Sequence, residues 1–325
     1  MKRRSVLFSI GAWLAACAMP AHPQGGRPRR IAFFHPGTEE TSRVHLEAFR
    51  AALRERGHVE GRDVSIETSW GGGKTERMEA TAAQIVARKP DLIVTATSAA
   101  TAAFKKATTT IPIVFATGFN PVEQGLVSSL RHPGGNVTGV LVYSEIAGKI
   151  VEVAREAFPR AQRLAILVHV PDSAHKFALE QFVAAAPRFE FESIVVRVTR
   201  VVELDRVFAE VDERRADALY MADLAFNYSH HEQLIERALQ RKLPLLSGYH
   251  DVTEKGGLLS YGGPREENYR RAAALADRIL RGASVGDLPV EQPEHFQLVV
   301  NRKTANAIGV SVSAVTMLRA DRIID

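Results

Sequence analysis

Gly71-Gly72-Gly73-Lys74-Thr75 ends like a loop that cradles phosphates, in which glycine N–H groups and a lysine hold the phosphate oxygens. That motif also needs a glycine five residues before Gly73, and Thr68 stands there, so nucleotide hydrolysis is not predicted. Gly134-Gly135-Asn136 leads into no long helix and reads as a turn rather than a dinucleotide fingerprint. The adjacent His230 and His231 lack the four-residue spacing with which one helix face grips a metal, and they read as a solvated helix start. No serine sits in a strand-turn-helix nucleophile elbow. The expectation is a protein that is not an enzyme and that uses neither cofactor nor metal.

Other residues suit recognition. Thr95-Ala96-Thr97-Ser98-Ala99 runs straight into a predicted helix, where hydroxyls and free backbone N–H groups suit a carboxylate. Thr97 and Ser98 are the candidates there, and Ser98 reads equally well as a plain N-cap. Asp223 follows a predicted strand and can meet an ammonium group or cap a turn. Tyr249 follows another strand and can stack on a flat ligand. Phe34 and His35 after the first strand, and Tyr143 after the fifth, are similar candidates, with ordinary packing as the alternative.

These residues need elements to hold them. Short β-branched runs alternate with amphipathic stretches, the pattern of a parallel sheet covered by helices. Strands are predicted at 31–34, 64–68, 91–95, 113–116 and 137–140, with helices at 42–56, 77–88, 99–107 and, briefly, 122–130. Val44 is assigned to the apolar face of the first helix. The rhythm then restarts, with helices at 146–158, 174–185, 204–215 and 232–241 and strands at 164–168, 191–198, 218–221, 244–246 and 257–260. A helix at 266–280, a Pro/Gly-rich stretch at 282–293, a strand at 296–300 and a helix at 304–308 close the chain. The predicted fold class is α/β, with two doubly wound parallel-sheet lobes. Residues 30–140 plus 263–287 form the first lobe and 141–262 plus 288–325 the second. Three crossings near 140, 262 and 288 make a hinge that permits closure around a ligand.

The N-terminus reads as an export signal over 1–17, followed by a flexible tether over 18–29. Lys2, Arg3 and Arg4 precede an apolar run over 6–16 that is too short for a bilayer, which needs about 20 residues. The paired arginines fit the twin-arginine route and the general secretory route equally. Leu14-Ala15-Ala16-Cys17 resembles a lipobox, which would make Cys17 a lipid attachment point; cleavage nearby, at Ala18 or Ala21, is the alternative. Cys17 is the only cysteine, so no intramolecular disulfide is available and packing must hold the fold. Once the three signal cations are set aside, the formal charge of +5 falls to +2, and no basic stripe interleaved with aromatics is present, so nucleic acid is not an expected partner.

Several blocks carry a wider resemblance: TIPIVFATGFNPVEQG at 110–125 with LVSSLRHPGGNVTGV to 140, RGHVEGRDVSIETSWGGGKTERM at 56–78, and the segment from GGLLSYGG to NAIGV at 256–310. In order and spacing they are similar to the ABC-transporter substrate-binding family that includes bacterial tryptophan-binding proteins. The resemblance implies a type I periplasmic-binding-protein fold, partnership with a membrane permease and its ATPase, and a periplasmic or otherwise extracytoplasmic place. It implies capture of a small ligand, an amino acid or related carboxylate, by a monomer; a module that senses a ligand for a membrane receptor is the alternative. The segment at Thr97 matches one that lies at the family's ligand cleft, and Asp223 and Tyr249 match ligand-facing positions. Asn120, in Phe119-Asn120-Pro121, stands where the family more often has aspartate, which implies room for an anionic ligand. Leu224 to Asn227 depart from the polar run expected after Asp223, which counts against an amino acid.

Overall fold

Ile31, Ala32, Phe33 and Phe34 are consecutive and all buried, which requires cover on both faces of the strand they form. The computed structural model describes residues 27–72, 77–142, 146–171, 175–293 and 295–325. Cys17, Tyr143, Lys74 and Thr75 lie outside the described residues, as do the expected export signal and most of the expected tether.

That strand is β1 (Arg29–His35), and β2 (Val64–Trp70) and β3 (Leu92–Thr95) pair parallel to it on either side. With β4 (Ile113–Gly118) and β5 (Val137–Leu141) they form a five-stranded parallel sheet of order β2-β1-β3-β4-β5. Alternation along the strands sends Ile31, Phe33, Leu92, Val94 and Val114 to one face, where they meet Leu46, Phe49 and Leu53 of α1 (Glu39–Glu55). Ala32, Phe34, Ile93, Ile113 and Phe115 point the other way, onto α2 (Met78–Ala87) and α3 (Ser98–Ala107).

The second lobe begins with α4 (Ile146–Ala157), β6 (Arg163–His169), α5 (His175–Ala185), β7 (Glu192–Val198), α6 (Leu204–Glu213) and β8 (Ala218–Met221). It continues through α7 (Ala225–Ser229), α8 (His231–Gln240), β9 (Leu245–Ser247), α9 (His250–Glu254) and β10 (Leu259–Gly262). The chain then returns to the first lobe for α10 (Arg265–Leu280), whose Tyr269, Ala272, Leu275 and Ala276 complete the core over Phe33. It ends in the second lobe with β11 (Gln297–Asn301), α11 (Arg302–Ile308), α12 (Ala314–Arg319) and β12 (Arg322–Ile324). The second sheet has the order β12-β11-β10-β9-β8-β6-β7. It is mixed, because β11 runs antiparallel to β10.

The structure corrects four expectations of organisation. Residues 122–130 are turns: Leu126 and Val127 donate back to the Pro121 carbonyl, and Gly125 takes φ +65°, which ends any helix there. Val44 is half exposed on α1. The third crossing falls after Glu291 rather than near 288. Leu288 and Val290 are buried in the first lobe, and Glu291 exchanges backbone hydrogen bonds with Gly139 and Leu141, so the Pro/Gly-rich stretch covers the open edge of β5. His231 is buried rather than solvated. Its Nδ1–H donates to the Tyr228 carbonyl at 2.6 Å, and Lys255 donates to its Nε2 at 2.9 Å.

Candidate functional site

In each sheet the chain moves outward from a central strand and then back across it, between β1 and β3 in one lobe and between β6 and β8 in the other. Crevices at such switch points, beyond the carboxyl ends of the strands, are where open α/β sheets hold ligands. A cleft of about 580 Å³, including its solvent-open part, lies there and takes its lining from both lobes.

The first lobe contributes His35, the last residue of β1. The Gly37 N–H donates to its Nδ1 at 3.0 Å and Ser42 Oγ lies 2.9 Å away, so the neutral ring carries its proton on Nε2. Burial, reinforced by the nearby Arg265 charge, lowers the His35 pKa to about 3, and Nε2 has no hydrogen-bond partner among the described residues. Thr97 is the N-cap of α3: its hydroxyl accepts from Ala100 N–H at 3.3 Å, while the N–H groups of Ser98 and Ala99 have no carbonyl within the helix to bond. Ser98 is not the cap. Its Oγ accepts from the Phe119 N–H at 2.8 Å and donates to the Phe119 carbonyl at 3.2 Å, tying the loop after β3 to the loop after β4.

The second lobe contributes Asp223, two residues beyond β8. Gly248 N–H donates to its Oδ1 at 2.9 Å and the Tyr220 hydroxyl to its Oδ2 at 3.2 Å. Only glycine fits at 248, because a Cβ there would lie 2.1 Å from Oδ2. Burial pushes the Asp223 pKa up to about 7, against the opposing pull of those two hydrogen bonds and of Arg265. Tyr249 and Tyr228 meet edge to face at 5.0 Å and form one wall. The Tyr228 hydroxyl donates to Asp251 Oδ2 at 2.5 Å.

Of the expected residues, His35, Thr97, Ser98, Asp223 and Tyr249 come together around this cleft. Phe34 does not: it is 1% exposed and packs edge to face on Phe104, because its side chain points to the α3 face of a strand covered on both sides. Asn120 is not among the lining residues, and its backbone takes φ +40°, a left-handed turn that asparagine and aspartate tolerate better than most. The run after Asp223 is structural. Leu224 is buried, Phe226 stacks on His169 at 4.2 Å, and the Asn227 amide donates to the carbonyls of Leu167 and Ala222. Its lack of polarity therefore does not bear on what the cleft holds.

Sequence reasoning passed over Tyr228, Thr117, Phe119 and Arg265, all of which line the cleft. Arg265 left a readable signal: it opens α10, at the end of a helix where the dipole disfavours a cation.

The profile of the family described as ABC transporter substrate binding protein matches residues 34–324. A tyrosine-binding protein of Clostridioides difficile is 25% identical over 274 residues, 84% of this chain and 78% of that protein. Two solved structures superpose over nearly their whole length, each at 22% identity. One is a conserved domain protein of Vibrio cholerae, with a TM-score of 0.86 over 91% of this chain and 100% of the other. The second is an ABC domain of Streptococcus pneumoniae in complex with L-Trp, with a TM-score of 0.85 over 92% and 100%. The two-lobed architecture is that of type I periplasmic binding proteins. With the match running from the end of β1 to β12 and so taking in both walls of the cleft, the chain belongs to the ABC transporter substrate binding protein family.

Proposed function

We propose that this chain captures an amino acid or a related small carboxylate outside the cytoplasm and delivers it, chemically unchanged, to an ABC permease driven by its ATPase. The observation that carries this reading is one cleft lined from the carboxyl ends of two sheets, with His35, Thr97 and Ser98 on one side and Asp223 and Tyr249 on the other. A ligand touching both walls favours closure, because it is bound more tightly by the closed form than by the open one. Asp223 offers a carboxyl group that suits an ammonium group, the start of α3 favours negative charge, and the tyrosine wall suits a flat or apolar side chain. The ligands named for two relatives, tyrosine and L-Trp, support an amino acid. A monomer anchored through Cys17 fits the same reading, and among the described residues no helix is long and apolar enough to cross a membrane.

A thermal-shift screen of amino acids, aromatic acids and small carboxylates tests it, on protein recovered from the cell envelope whose N-terminal mass also reports lipid on Cys17. A binder present at 100 times its Kd adds about 2.7 kcal/mol of stability. Asp223→Ala and Thr97→Val are each expected to weaken the hit while leaving a folded protein. No stabilisation by any compound, or turnover of the compound that binds, would sink the reading.

A further inference from the structure

Arg265 is 8% exposed and lines the cleft, and its guanidinium stays charged in any such setting. Among the described residues it makes no ion pair, and its Nε and Nη1 have no hydrogen-bond partner. A buried cation without a counter-charge is costly, by several kcal/mol. Its main support is aromatic: the guanidinium carbon lies 3.9 Å from the ring centroid of Tyr228 and 4.8 Å from that of Tyr249. Contact with ring faces steadies a cation while leaving N–H groups unbonded.

The other free donors around the cleft have the same preference. The N–H groups at the start of α3, which have no carbonyl within the helix to bond, and the unpartnered His35 Nε2–H both favour an acceptor. The carboxyl group lining the cleft, Asp223, does not pair with Arg265; it is held by Gly248 N–H and the Tyr220 hydroxyl. Asp251 is taken up by the Tyr228 hydroxyl. Among the described residues the cleft thus has a fixed positive charge with no carboxylate bonded to it and a further unpartnered donor beside it.

We infer that Arg265 is the anchor for a ligand carboxylate, so that the carboxylate, and not the amino group, is the feature a solute must have to be captured. The inference rests on the solute-capture reading above and adds to it the residue that makes the choice. Free amino acids and plain monocarboxylates share this chemistry.

Two matched trios measured by calorimetry at pH 7 on the mature protein test it. They are L-tyrosine, 3-(4-hydroxyphenyl)propionate and tyramine, and L-leucine, 4-methylpentanoate and isopentylamine. Carboxylate-bearing members are expected to bind and the two amines not to. Arg265→Met is expected to weaken carboxylate binding by about 100-fold, with Arg265→Lys recovering part of it. Whether the amino acid or its des-amino partner binds more tightly tells which kind of carboxylate is captured, and either order supports the anchor. An amine that binds as well as its carboxylate partner, or an Arg265→Met protein within about threefold of wild type, overturns the anchor and leaves capture standing. Binding by none of the six overturns the anchor, while capture itself stands or falls with the wider thermal-shift screen. Should Arg265→Met fail to fold, Arg265→Lys and the amine arm decide the matter by the same criteria.

Discussion

Asp223 and His35 face one cleft with opposite responses to pH. Burial raises the Asp223 pKa from its ordinary 3.8 to about 7, so the folded protein holds a proton there more tightly than the unfolded chain does. Its contribution is present in acid and is lost as pH rises from about 4 through 7, an effect of at most about 4 kcal/mol. His35, lowered to about 3 from 6.5, and His45, lowered further by burial and by the neighbouring Arg265, act the other way: their contribution is lost as pH falls below 6.5. Stability without ligand, followed by urea midpoints between pH 4 and 8, is therefore expected to rise from pH 4 to about 6.5, where two histidines outweigh one carboxyl group, and to stay nearly level above that. In Asp223→Asn, with the opposing carboxyl group gone, the rise between pH 4 and 6.5 should steepen. An unchanged acid limb in that variant would contradict the assignment.

At the scale of elements, the joint between β3 and α3 shows what a sequence tells and what it withholds. A hydroxyl-rich run entering a helix announces a cap, and a cap is there, but on Thr97. Ser98 is engaged 21 residues away, with both backbone groups of Phe119, and no local pattern encodes that partner. Ser98→Ala leaves a buried N–H of Phe119 unbonded, so a loss of about 1–3 kcal/mol is expected in urea unfolding, and a loss below 0.5 kcal/mol would show the tie to be slack. Long strands and helices were readable because four to seven apolar residues in a row, or a repeat of 3.6, suffice to define them. The segments α7 and α9 span five residues each and α12 six, too short for a period to show. Phe34 was misread for a related reason: on a strand covered on both faces, alternation marks no outward side.

Over the whole molecule, the doubled α/β rhythm was legible, and so was the gathering of strand-end residues around one cleft, since a parallel sheet brings those ends to one edge. Arg265 was legible only as a cation oddly set at a helix start and not as a cleft residue, because that helix returns from the other lobe. The lobes also meet through Phe119 and Phe177, edge to face at 4.9 Å, a contact between residues 58 positions apart that strand and helix patterns do not announce. That return of α10 governs the order in which the protein can be completed as it leaves the ribosome. One face of the first sheet lacks Tyr269, Ala272, Leu275 and Ala276 until α10 has been made, and β5 lacks the backbone partner at Glu291 for longer still. The half of the molecule synthesised first must therefore wait, with apolar surface uncovered, until nearly the entire second half has emerged.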